Sequence, residues 1–190
     1  EISQGTLQAI FEYQSLMSAL TGMEVSNASH YDGATAAAEA VNLAWAVFRG
    51  KRTKVVVFPT VHPQYREVIR TYTQGMDLEL ARDDASADLE TGPEAMTELV
   101  DDNTMLVIVQ YPDFFGRIYD YTKMIASAHE KGALVCVVAT TVTLTIRTGI
   151  SPAYVSPIVL CCPHQSSLCV CNSTIAIVNK AVCCYYRYNN

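Results

Sequence analysis

Short apolar runs alternating with helical patterns place this 190-residue chain in the α/β class, with a mostly parallel sheet and flanking helices. Three observations carry that expectation. The runs Val55–Phe58, Thr104–Val109 and Ala133–Val138 are continuous and apolar, as strands buried on both faces must be. Between them lie stretches of helical pattern long enough for the crossovers that parallel pairing requires. Glycine and proline mark the borders, at Gly22, Gly50, Pro59, Gly75, Pro93 and Gly132.

The elements follow in order. Leu7, Ile10, Phe11, Met17 and Leu20 recur at helical spacing, which predicts an amphipathic helix over Thr6–Leu20, with Ser3 as N-cap and Gly22 just past its end. Glu24–Ala28 reads as a short strand or extended link. Asp32-Gly33 then opens the alanine-rich stretch Ala34–Phe48, whose intrinsic propensity predicts a second helix ending at Gly50. After the basic turn Lys51-Arg52-Thr53-Lys54 comes the strand Val55–Phe58, stopped by Pro59. Tyr65–Tyr72 is helical in pattern, Leu78–Ala81 is a weak strand, and Pro93 suits the first turn of a helix to Leu99. The strand Thr104–Val109 precedes a long helix predicted over Phe115–Lys131, with Ile118, Tyr121, Ile125 and Ala128 on one face. Gly132 closes it, and Ala133–Val138 is the last clear strand.

Half of the residues are hydrophobic and 17% are charged, a composition that suits one globular core. The net charge of −6 argues against a nucleic-acid partner, because no cationic excess is present to neutralise phosphates. That charge is unevenly spread. Residues 1–132 hold ten basic and nineteen acidic groups, net −9, whereas residues 133–190 hold three basic and no acidic groups, net +3. All seven cysteines fall in the second part. A soluble domain carries both signs over its surface, so two regions are expected: residues 1–138 as an α/β part and residues 139–190 as an unassigned cysteine-rich tail. The chain starts at Glu1 with no basic segment before an apolar one, and it reads as a fragment without a secretory signal.

In open parallel sheets, ligands bind beyond the carboxyl ends of strands, where loops enter helices. Three loops are candidates. In Ser29-His30-Tyr31-Asp32-Gly33-Ala34-Thr35, small residues at a helix start allow close approach of an anion, although Asp-Gly is also an ordinary cap. Pro59-Thr60-Val61-His62-Pro63 sets an imidazole just past a buried strand, where it can stack on a planar cofactor, move a proton or simply pack. Gln110-Tyr111-Pro112-Asp113-Phe114-Phe115-Gly116 suits a rigid pocket rim and equally suits packing. No dinucleotide fingerprint, phosphate-binding P-loop, Gly-x-Ser-x-Gly elbow or His-Glu-x-x-His pattern occurs. Cys161-Cys162-Pro163-His164 and Cys169-Val170-Cys171 lack the spacing of a zinc knuckle, and no metal is expected. The uncharged run 148–179 is broken by Pro152, Pro157 and Pro163, so no membrane span is expected either.

Several motifs together resemble one family. Glu1-Ile2-Ser3-Gln4-Gly5-Thr6-Leu7-Gln8, Leu20-Thr21-Gly22-Met23, Tyr31-Asp32-Gly33-Ala34-Thr35-Ala36, Thr60-Val61-His62-Pro63 and Gln110-Tyr111-Pro112-Asp113-Phe114-Phe115-Gly116 stand in the order seen in subunit 1 of glycine dehydrogenase (decarboxylating), the P-protein of the glycine cleavage system. The resemblance ends near Val138. It implies part of the large domain of a fold-type I pyridoxal-phosphate-dependent, transferase-like enzyme. It also implies an oxidoreductase reaction in the cytoplasm, in which glycine loses carbon dioxide on pyridoxal phosphate and the aminomethyl remainder passes to the lipoyl arm of H-protein, the cofactor acting as electron sink.

The resemblance further implies that subunit 2 holds the cofactor covalently. In accord with that, none of Lys51, Lys54, Lys123, Lys131 and Lys180 has the setting of a Schiff-base lysine. No catalytic residue is assigned, and this fragment alone is expected to be inactive. Tyr31, Asp32, Gly33, Ala34, Thr35 and His62 are expected to line the shared pocket, by motif match. A non-catalytic scaffold that binds the catalytic subunit, or another fold-type I amino-acid enzyme, are the alternatives. Where the family continues past the last strand with an acidic residue and proline, this chain has Ala139-Thr140-Thr141. A reading-frame shift at that point is the expectation for the tail.

Overall fold

The computed structural model describes residues 2–21, 26–83 and 92–139, together with the backbone of two short strands at 158–160 and 174–176. The tail otherwise lies outside the described residues, and with it the cysteine pairs at 161–162 and 169–171 and the run 148–179.

The first helix, α1, runs Gln4–Thr21, and the Ser3 carbonyl accepts its opening bond from the Leu7 N–H at 3.0 Å. The amphipathic face is only half used: Met17 packs on the core, whereas Leu7, Phe11 and Leu16 stay more than 60% exposed. No regular strand forms over residues 26–28, and Glu24 lies outside the described residues. Helix α2 (Gly33–Phe48) buries Ala34, Ala36, Ala37, Ala38, Ala40 and Ala44. Methyl-sized side chains let its axis lie close to what it covers. It stops where Arg49 and Gly50 both turn left-handed (φ 52 and 69). A side chain at Gly50 would bring a Cβ within 3.0 Å of the Trp45 ring.

The strands are β1 (Lys54–Val57), β2 (Glu79–Ala81), β3 (Thr104–Tyr111), β4 (Leu134–Ala139), β5 (Ile158–Leu160) and β6 (Thr174–Ala176). They form one sheet in the order β2-β1-β3-β4-β5-β6, parallel throughout except for the antiparallel β5–β6 pair. The predicted α/β class and mostly parallel sheet are thus observed. The continuous apolar runs are buried as two-sided strands require: Val55–Val57, Met105–Val109 and the whole of β4. β4 ends at Ala139 and β5 pairs beside it, so residues on both sides of Val138 belong to the sheet.

Helices α3 (Pro63–Thr73), α4 (Pro93–Leu99) and α5 (Thr122–Glu130) supply the crossovers. From β1 the chain moves outward through α3 to β2, then returns through α4 past β1 to β3 and moves on through α5 to β4. Right-handed crossovers in opposite directions place α3 and α5 on opposite faces. Packing of α2 on α3 and of α4 on α5 agrees.

One predicted element is corrected. The long helix over Phe115–Lys131 exists only as α5, and residues 113–121 form a loop. The buried Asp113 carboxylate causes this. Its Oδ1 accepts the N–H groups of Phe115 (3.0 Å) and Arg117 (2.8 Å), and its Oδ2 accepts from Arg117 Nε (2.8 Å). A side chain that captures these donors competes with the helical ladder, and Gly116 takes a left-handed φ of 79 inside the turn. Ile118 therefore points to solvent, while Tyr121, Ile125 and Ala128 are buried as expected.

Candidate functional site

The strand order reverses between β1 and β3, and their carboxyl ends flank a topological switch point, the place where open α/β sheets leave a crevice. Two of the candidate loops meet there. The Phe114 N–H donates to the Thr60 carbonyl (2.9 Å), and the His62 N–H donates to Gln110 Oε1 (2.8 Å). Each loop thus holds the backbone of the other. The Tyr111–Pro112 peptide between Gln110 and Asp113 is cis.

His62 occupies the N-cap of α3, ahead of Pro63, and its Nδ1 accepts the Gln64 N–H at 3.2 Å. In the neutral ring this leaves the proton on Nε2. Partial burial pushes the imidazole below its ordinary pKa, which favours that neutral form. The ring meets Phe114 edge to face, with centroids 4.8 Å apart, and lies tilted against Tyr65 at 5.1 Å. Phe114 and Phe115 stack edge to face at 5.2 Å, and both remain nearly half exposed. Arg117, held by Asp113, lies over Phe115 and Tyr119. Beneath the loops, Tyr121 packs on Phe58 and donates its hydroxyl to the Gln110 carbonyl (3.3 Å), and burial pushes that hydroxyl's pKa far up. The Thr60 hydroxyl is fully buried without a hydrogen-bond partner among the described residues.

The first loop is built differently. Asp32 caps α2 through its Oδ1, which accepts the Thr35 N–H (2.7 Å), and Thr35 Oγ1 accepts the Asp32 N–H in return (3.1 Å). This reciprocal box holds the helix start with about 1 kcal/mol. Both polar side chains are occupied with one another. Tyr31 extends into solvent at 86% exposure, and Gly33 and Ala34 are buried in the first turn. Because α2 leads through a short turn into β1, its N-terminus lies toward the carboxyl end of the sheet, the end that carries His62. Among the described residues, no hydrogen bond or ring contact joins Tyr31–Thr35 to His62.

The lysines lie elsewhere. Lys54 begins β1 at the opposite, amino end of the sheet and pairs with Asp101 at 2.7 Å. Lys131 caps α5 and donates to the Val100 carbonyl. Lys51 and Lys123 are exposed, and Lys180 lies outside the described residues. Among those residues no group of histidine, cysteine and carboxylate side chains could hold a metal ion, and no helix is long and apolar enough to cross a membrane.

Gln110, Thr60 and Phe114 stand beside His62 at the switch point; both of their loops are candidates by sequence, but of their residues only His62 is expected to line the pocket. A polar glutamine ending the otherwise apolar strand Thr104–Val109 is the signal that marks Gln110.

The profile of the glycine cleavage system P-protein family matches residues 1–160, so the likeness extends beyond Val138, where the motifs alone end it. A probable glycine dehydrogenase (decarboxylating) subunit 1 from Thermomicrobium roseum is 51% identical over 133 residues, covering 70% of this chain and 30% of its own length. The chain therefore spans under a third of that relative. A crystal structure of glycine decarboxylase, the P-protein of the glycine cleavage system, in inhibitor-bound form, superposes with a TM-score of 0.68 at 36% identity, over 84% of this chain and 35% of that one. A Campylobacter jejuni protein named as an O-acetylhomoserine (thiol)-lyase, solved with N'-pyridoxyl-lysine-5'-monophosphate, shares the fold at a TM-score of 0.53 and 14% identity, over 78% of this chain and 33% of that one.

Proposed function

Because the chain belongs to the glycine cleavage system P-protein family, we propose that it contributes part of the subunit that works with a lysine-bearing subunit 2 to decarboxylate glycine and to pass the aminomethyl group to the lipoyl arm of H-protein. The observation that carries this reading is the pair of loops joined at the β1–β3 switch point, which hold His62 between them and carry no lysine. Pyridoxal phosphate, when bound, withdraws electrons from the bond to the glycine carboxylate. The chemistry of the crevice suits such a group. A neutral imidazole offers a flat apolar surface with one N–H donor.

In this proposal the covalent attachment belongs to subunit 2. His62 presents its ring and Nε2–H to the shared pocket, Phe114 and Phe115 form an apolar rim that helps exclude water, and residues Tyr31 to Thr35 stand near the same end of the sheet. The proposed setting is the cytoplasm. A scaffold role, with no contact to substrate, draws on the Asp32–Thr35 box, whose polar groups are spent on capping.

Reconstitution tests the reading. The chain alone exchanges no labelled carbon dioxide into glycine. Subunit 2 with pyridoxal phosphate and H-protein exchanges it faster when this chain is added. Exchange by subunit 2 that ignores the added chain, although the two bind, would contradict the proposal.

A further inference from the structure

We infer that Gln110 is a positioning residue that fixes His62 in the crevice; the inference rests on the proposed place of His62 in a shared pocket. Two hydrogen bonds beyond the helical ladder of α3, with the ring contacts to Tyr65 and Phe114, place His62. Its side chain bonds only within its own turn, through Nδ1 and the Gln64 N–H. Its backbone N–H is held from the neighbouring strand, by Gln110 Oε1 at 2.8 Å. That second bond joins the loop after β1 to the end of β3 across 48 positions in sequence.

Gln110 is itself well anchored. It pairs with Val138 in the β3–β4 ladder, and its carbonyl accepts the Tyr121 hydroxyl at 3.3 Å. The amide therefore projects from a rigid strand end rather than from a mobile loop, which is what positioning a neighbour to within a fraction of an ångström requires. Four residues on, the Phe114 N–H bond to the Thr60 carbonyl closes the other side of the link and sets the Phe114 ring against His62. Removing the Gln110 acceptor leaves the N-cap N–H at His62 unpaired and frees the imidazole to slide along Phe114.

The test uses the full chain with its histidines labelled at Cε1, read by NMR, with and without subunit 2. In the wild type the nearby Phe114 ring shifts the His62 signal, and Phe114→Leu defines the unshifted position. Gln110→Leu removes the acceptor at similar size and moves the signal most of the way to the Phe114→Leu position. Gln110→Glu keeps an Oε acceptor and holds the signal near its wild-type place. In the reconstituted complex, Gln110→Leu slows glycine–carbon dioxide exchange by on the order of tenfold to a hundredfold through kcat. The Gln110→Leu/His62→Leu double variant is no slower than His62→Leu. A His62 signal unmoved by Gln110→Leu, or moved as far by Gln110→Glu, overturns the inference. Should the signal behave as described while neither substitution alters exchange, Gln110 positions His62 and the placement of His62 in the glycine pocket is what fails.

Discussion

Replacing Asp113 with alanine lowers the unfolding free energy of the chain by about 3 kcal/mol, measured by urea denaturation. The Asp113 side chain is fully buried and accepts three hydrogen bonds, two from backbone N–H groups and one from Arg117. Truncation leaves the two N–H donors without a partner inside the loop, and such groups cost about 1–3 kcal/mol when they stay buried. Arg117 is about one-third exposed and recovers part of its loss from water. Asp113→Asn keeps the Oδ1 acceptor and loses the charge, so about half of the effect is expected from it. The consequence reaches the crevice, because the same loop delivers Phe114 to the Thr60 carbonyl and to the His62 ring.

Replacing His62 with leucine slows glycine–carbon dioxide exchange in the reconstituted complex about a hundredfold. The substitution removes the neutral ring, its Nε2–H and the cap on the Gln64 N–H. The cap accounts for about 1 kcal/mol of stability, which the melting of the chain reports separately. Exchange near the wild-type rate from a folded His62→Leu chain would favour the scaffold role.

Much of the sheet was legible because two-sided burial writes itself as continuous apolar runs, as at Val55–Val57 and Thr104–Val109. The helix propensity of an alanine-rich run did the same for α2, with Asp32 as its cap. The start of α5 was illegible for a specific reason. Ile118, Tyr121, Ile125 and Ala128 carry a helical period, yet Asp113 binds the N–H groups at 115 and 117, and no periodicity reports that competition. The exposure of Leu7 and Phe11 on α1 was hidden likewise, since a pattern gives the apolar face and not what covers it.

The candidate site was half legible. His62 stood out by its place after a buried strand. Its partnership with Gln110 depends on strand order, and the reversal between β1 and β3 involves residues almost fifty positions apart. Asp32 and Thr35 stood out by motif, and the geometry gives them a capping bond to each other.

The central claim is that the crevice between β1 and β3 faces the cofactor and glycine held by the partner subunit. The His62 Cε1 signal, followed in the complex with subunit 2 as pyridoxal phosphate and then glycine are added, tests it most directly. A shift is expected on the first addition and a second shift on the next. A His62 signal that stays in place while subunit 2 takes up both would contradict it.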